Sequence, residues 1–201
     1  FIHGISEEIA GYKYDEIEDN PFEKMQNYLI KPTNIIQIVL MEGISQKAIN
    51  EKEYLLLDLG KNNTGFIRSQ IIAKKDSEVL LLFDEKLIEG KIEIADLETV
   101  NIVKYNLKAN ETPYQIQSFE AYGFRYIYCI ILSGSIVLNY LGLREYSYPN
   151  VDNCKFECNN TELKKIFRAA RETYRQNTLD VFMDCPTRER AGWLCDSYFT
   201  A

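Results

Sequence analysis

The residues best suited to chemistry lie together near the C-terminus, in the run Asp184-Cys185-Pro186-Thr187-Arg188-Glu189-Arg190-Ala191-Gly192-Trp193, with Asp196 just beyond. Asp184 and Glu189 supply carboxylates, Arg188 and Arg190 guanidiniums, and Trp193 an indole. Carboxylate and guanidinium groups engage neighbouring hydroxyls through paired, charge-assisted hydrogen bonds, and an aromatic ring offers an apolar face for the C–H side of a sugar. The mixture therefore suits a saccharide subsite. It also suits an ion-pair turn with a purely structural role, and composition alone does not separate the two. Pro186 excludes a regular helix through the segment and stiffens the turn.

The rest of the composition narrows the chemistry. His3 is the only histidine, which disfavours Ser-His, Cys-His and His-metal mechanisms within the chain. Neither a P-loop nor a Gly-x-Gly-x-x-Gly run is present. The five cysteines, Cys129, Cys154, Cys158, Cys185 and Cys195, are odd in number and irregularly spaced, so they do not read as a disulfide framework. Cys154 and Cys158 with Cys185 and Cys195 lack the tight spacing of zinc knuckles, and buried free thiols are the simpler reading. No metal or other cofactor is expected. Chemistry in this chain falls to carboxylates.

A net charge of −7 without a Lys/Arg run argues against a nucleic-acid partner. The apolar stretches Ile35–Leu40 and Tyr126–Leu132 are much shorter than the roughly 20 residues a membrane helix needs. With 46% hydrophobic residues and 12% aromatics, the 201-residue chain can bury a sizeable core.

Three textures follow one another along the chain. Residues 1–50 read as the tail of a preceding domain and a linker, with an acidic, Pro-terminated stretch from Asp15 to Pro21. Residues 51–148 carry short β-like runs: Tyr54–Leu59, Phe66–Ile72, Val79–Phe83, Val100–Leu107, Gln115–Phe119, Phe124–Leu132 and Ile136–Leu143. Turn residues separate them, notably Gly60 to Gly65, which predicts an antiparallel β-sandwich of two packed sheets. From 149 to 201 the pattern turns helical. Leu163, Ile166, Phe167, Ala170 and Tyr174 share one helical face. Asn159 has capping-box spacing to Glu162, and Asn177 suits a left-handed end. A lone amphipathic helix cannot bury its stripe, so the chain reads as an internal fragment in which this helix opens an α-helical domain.

Three segments carry a resemblance that covers the chain from about Tyr54 onward. Asp184 to Trp193 resembles the bacterial α-L-rhamnosidase signature D-C-P-x-R-D-E-R-x-G-W of glycoside hydrolase family 78. Leu57 to Phe66 is similar to that family's D-F-G-x-N-x-x-G-W strand and turn, and Phe119 to Tyr126 to its F-x-x-x-G-F-R-Y. The resemblance implies a mainly β architecture, a β-sandwich followed by the first helix and catalytic loop of a truncated (α/α)6 barrel.

The activity it implies is inverting hydrolysis of terminal α-L-rhamnosides, with a carbohydrate as partner. Two carboxyl groups about 6.5–9.5 Å apart perform such a reaction. Glu189 would be the general acid, Asp184, Arg188 and Asp196 would bind the sugar, and Trp193 would wall it. The family places two acids between its arginines where this chain has Glu189 alone. Counted from Asp184, Glu189 takes the place of the family's Asp; counted from Trp193, it takes that of the acid, which is the preferred register. The family's general base has no counterpart here, so the isolated chain is expected to be inactive. A non-catalytic carbohydrate-binding or scaffold β-sandwich is the alternative. A periplasmic or secreted location rests on family analogy alone.

Overall fold

A computed structural model describes residues 34–40, 46–92 and 101–200. The acidic stretch from Asp15 to Pro21 and His3 lie outside the described residues. The strands are β1 (Asn34–Leu40), β2 (Lys47–Asn50), β3 (Glu53–Ala73), β4 (Ser77–Asp84), β5 (Ile102–Leu107), β6 (Tyr114–Ser133) and β7 (Ser135–Glu145). A 3-10 turn, Val151–Asn153, leads to the helices α1 (Thr161–Asn177) and α2 (Leu194–Thr200). Among the described residues the chain is thus mainly β, as its sequence predicts.

The strands form one seven-stranded sheet, not two separate ones. Its order is β2-β7-β3-β6-β4-β5, with β1 beside β3 in the one parallel pairing among the described residues. Sequence reading predicts four separate runs where the structure has only β3 and β6. The glycine-rich stretch after Leu59 is no turn between strands but a register break inside β3, between Asp58 and Asn63. Gly60 takes a left-handed φ of +82° there, and Asp58 Oδ1 accepts its N–H at 2.8 Å. A second break lies between Phe66 and Arg68. Bulges of this kind bend a strand without ending its pairing. The first half of β3 pairs with the end of β6 and with β1, and its second half pairs with the start of β6 and with β7.

The main core lies on one face of this bent sheet. Leu55, Leu57, Ile67, Ile71, Phe124 and Ile127 are fully buried there and share one cluster with Val79, Leu81 and Phe83. Phe83 packs against the rings of Tyr122 at 4.8 Å and Phe124 at 5.1 Å. A second cluster, Leu56, Leu80, Leu82, Ile102, Tyr128 and Ile130, occupies the opposite face. Burial on both faces explains why Leu55-Leu56-Leu57 and the run Val79–Phe83 are continuously apolar. Cys129 is wholly inside, where burial pushes its thiol up to about 12 and keeps it protonated.

Asn160, one residue later than the spacing predicts, caps α1, its side chain accepting the N–H groups of Glu162 at 2.9 Å and Leu163 at 3.1 Å. The left-handed end expected at Asn177 does not form, because Thr178 continues with an extended φ of −108°. The C-terminal half of α1 is fastened to the sheet by Arg175. Its guanidinium reaches Glu145 and Ser147 at the end of β7, and its Nε donates to Glu172 at 2.9 Å. Towards its N-terminus the apolar stripe faces outward, with Leu163 48% and Ile166 63% exposed.

Arg175 holds the Glu172 carboxyl down to about 2 from an ordinary 4.5. A depressed carboxyl stabilises the fold only while ionised. Its contribution is complete above pH 4.5, declines as pH falls through that window and is gone below about 2. Melting curves recorded across the window should show Glu172→Gln less stable than wild type at pH 7, with the difference shrinking as the pH drops.

Candidate active site

The end of α1 hands the chain directly to the candidate loop. The Met183 N–H donates to the Asn177 carbonyl at 2.8 Å, and Asn177 Nδ2 donates to the Asp184 carbonyl at 3.2 Å. Asp184 then closes the loop on itself. Its backbone N–H donates to the Ala191 carbonyl at 3.0 Å, while its carboxylate accepts the Ala191 N–H at 2.9 Å. Burial acts to raise the Asp184 carboxyl, but the donors from Ala191 and Cys185 outweigh it and hold the group below its usual range. Asp184 is therefore an ionised clasp that pinches the loop and leaves Arg188 and Glu189 at its apex.

The sheet fixes the loop at three further points. The Gly123 N–H of β6 donates to the Pro186 carbonyl at 2.8 Å, and a Cβ built on Gly123 would lie 2.8 Å from the Pro186 ring. Glycine is required by this close approach, not by an unusual φ. The Thr187 hydroxyl lies within bonding reach of Glu85, which also accepts from Asn62 Nδ2 at 2.9 Å. Arg190 reaches Glu120 at 3.2 Å and the Thr187 carbonyl at 3.1 Å, with its guanidinium 4.9 Å above the Tyr122 ring. Those contacts hold Arg190 at φ +53°, a left-handed conformation costing a non-glycine residue about 1–2 kcal/mol. Burial pushes the Tyr122 hydroxyl up to about 12, so the surface under Arg190 stays neutral.

At the apex, Arg188 Nη2 meets Glu189 Oε1 at 2.8 Å, and Trp193 Nε1 donates to Glu189 Oε2 at 2.8 Å. The loop thus brings together three of the residues singled out in sequence, around one half-exposed carboxylate. Asp184 is tied into the loop's closure, and Asp196 lies in the first turn of α2. Sequence reading missed Glu85, Glu120 and Tyr122. Glu120 and Tyr122 flank Gly123 in the run Phe119–Tyr126, nothing local marks Glu85, and the loop partners of all three are more than 60 positions away. Arg125 forms a two-bond ion pair with Asp58 at 2.7 and 2.9 Å and secures the bulge. Among the described residues no cluster of His, Cys, Asp or Glu could hold a metal ion.

Residues 47–137 match the bacterial alpha-L-rhamnosidase concanavalin-like domain, and residues 152–201 match the bacterial alpha-L-rhamnosidase six-hairpin glycosidase domain. An alpha-L-rhamnosidase of Alteromonas sp. (strain LOR) is 27% identical over 183 residues, covering 84% of this chain and 19% of that protein. The structure of a GH78 family rhamnosidase of Bacillus sp. GL1 superposes with a TM-score of 0.63 at 25% identity, over 73% of this chain and 15% of that one. A rhamnosidase from Klebsiella oxytoca with rhamnose bound shares the fold, with a TM-score of 0.60 at 17% identity over 74% of this chain and 31% of that one. The chain thus spans about a fifth of the length of the curated relative it matches.

Trp193, the chain's only tryptophan, reports on this loop. Gly123→Ala forces Pro186 away from β6, so a shifted Trp193 emission and a loss of about 1–3 kcal/mol in denaturant unfolding are expected. Unchanged emission would show that the Gly123 contact does not set the loop.

Proposed function

The chain belongs to the bacterial α-L-rhamnosidases, and from that premise we propose that it carries the acid half of a glycosidase active site. The whole protein then hydrolyses terminal α-L-rhamnosides with inversion. The observation that carries this reading is Glu189 at the apex of a clasped loop, held between the guanidinium of Arg188 and the indole of Trp193. In this reading Glu189 protonates the leaving oxygen. Trp193 keeps hold of Oε2, and Arg188 turns to the sugar hydroxyls, leaving Oε1 to carry the proton. Trp193, more than half exposed, walls the sugar with its ring. Asp184 and Asp196 complete the rhamnose contacts.

Two parts of the mechanism fall to the rest of the protein. A proton donor working near neutral pH needs burial or a neighbouring like charge, and an inverting enzyme needs a second carboxylate about 6.5–9.5 Å away to activate water. Both are assigned to regions outside this chain, in keeping with the fifth of the curated relative that it spans. The β-domain's role is to hold the loop rigid through Gly123, Glu85, Glu120 and Tyr122.

The test is hydrolysis of a para-nitrophenyl α-L-rhamnoside by the whole protein, followed by NMR of the first-formed anomer. Release of the inverted sugar is expected, and release of the retained anomer would overturn the mechanism. Asp184→Ala opens the clasp and should lower kcat/KM by about 10²-fold, the usual cost of misplacing a catalytic group by an ångström.

A further inference from the structure

Asp84, the last residue of β4, is a buried carboxylate that the mechanism above leaves unused. Only 1% of it is exposed, and its Oδ2 has no hydrogen-bond partner. It stands opposite Tyr126 of β6, and Asp58 of β3 stands opposite the same tyrosine. Arg125, whose guanidinium lies over the Tyr126 ring, gives its two ion-pair bonds to Asp58. Burial raises the Asp84 carboxyl above its usual range and the Glu85 carboxylate adds to the effect. The backbone N–H groups of Glu85 and Lys86 and the Lys86 charge oppose it without cancelling it. An acid raised in this way weakens the fold once it ionises. Leu82, two residues earlier on the same face of β4, belongs to the second core, so an apolar residue at 84 would carry no such cost.

The carboxylate turns the chain. Its Oδ1 accepts the Glu85 N–H at 2.5 Å, one residue past the end of the strand. A short carboxylate that holds the N–H following it fixes the direction in which the backbone leaves. The residue aimed in this way is Glu85, whose own carboxylate accepts from Asn62 Nδ2 at 2.9 Å and from the Thr187 hydroxyl. Thr187 lies two positions before Glu189. Asp84 itself bonds no atom of the loop among the described residues. Its influence on the loop passes through its neighbour.

We propose that Asp84 is a positioning residue for the glycosidase reaction: its carboxylate aims Glu85 at Thr187 and so sets where the loop holds Glu189. The inference rests on the functional reading above and carries the loop's support one residue deeper, into the sheet. A buried charge serves here because a hydrogen bond to an ionised acceptor is about twice as strong as a neutral one. The stability lost at Asp84 is exchanged for a fixed direction at Glu85.

Kinetics of the whole protein on an alkyl α-L-rhamnoside, whose leaving group needs the proton, test this. Asp84→Leu keeps the core filled but removes the acceptor. Its kcat should fall about tenfold or more while KM stays within about twofold of wild type. Asp84→Asn still offers an oxygen to the Glu85 N–H and should recover most of kcat. Asp84→Leu/Glu85→Ala should lose no more than Glu85→Ala alone, because both changes cut one line of support. Hydrogen exchange should find the Glu85 amide protected in wild type, although it lies beyond the strand, and the Thr187–Glu189 amides faster in Asp84→Leu. Wild-type kcat in the Leu variant, an Asn variant no better than it, losses that multiply in the double variant, or a freely exchanging Glu85 amide would overturn the proposal. If the Leu variant does not fold, kcat of the Asn variant and protection of the wild-type Glu85 amide decide the matter. Wild-type protein that cleaves no rhamnoside would instead overturn the rhamnosidase reading, and hydrogen exchange would still test the positioning.

Discussion

The contact between Gly123 and Pro186 is the constraint on which the candidate site depends. A sheet and a loop can approach this closely only where the strand carries no side chain, and at Gly123 even one Cβ would collide with the proline ring. The reward is a backbone hydrogen bond of 2.8 Å that anchors the middle of the loop to a strand of the core. β6 is a sound anchor because Phe124, Ile127 and Cys129, just beyond Gly123, are fully buried. Glu85 and Arg190 then fix the loop on either side, at the end of β4 and over Tyr122. A loop tied at three places to a packed sheet has little freedom left, which is what positioning of a catalytic group requires.

Much of this was legible in the sequence, and what was not has physical causes. The mainly β character and the helix beginning near residue 160 both follow from local pattern. Strand lengths did not. Glycine and asparagine between apolar runs read as a turn, yet the Arg125–Asp58 pair and the Gly60 bulge let β3 continue through them. That ion pair joins residues 67 positions apart, so no local window contains it. The helix cap moved from Asn159 to Asn160 for a smaller reason, since two adjacent asparagines offer the same chemistry and only backbone geometry chooses between them.

The site shows the same division. Glu189, Arg188 and Trp193 sit within five positions of each other, and the structure brings them together. The clasp made by Asp184 was not foreseen: a carboxylate that sequence suggests for ligand binding is ionised and engaged with the Ala191 backbone. A carboxylate has further lone pairs to offer, so the clasp and a sugar contact are compatible. The positioning residues Glu85, Glu120 and Tyr122 belong to the β-domain, and only the folded chain shows that they serve a loop encoded far downstream.

The central claim is that this clamped loop presents Glu189 as the proton donor to a leaving group. Its most direct measurement is the dependence of the Glu189→Gln variant of the whole protein on leaving-group acidity. An alkyl rhamnoside needs a proton on departure and should be cleaved about 10²–10⁴-fold more slowly than by wild type. A dinitrophenyl rhamnoside departs without one and should lose far less. Equal losses on the two substrates, or none on either, would contradict the assignment.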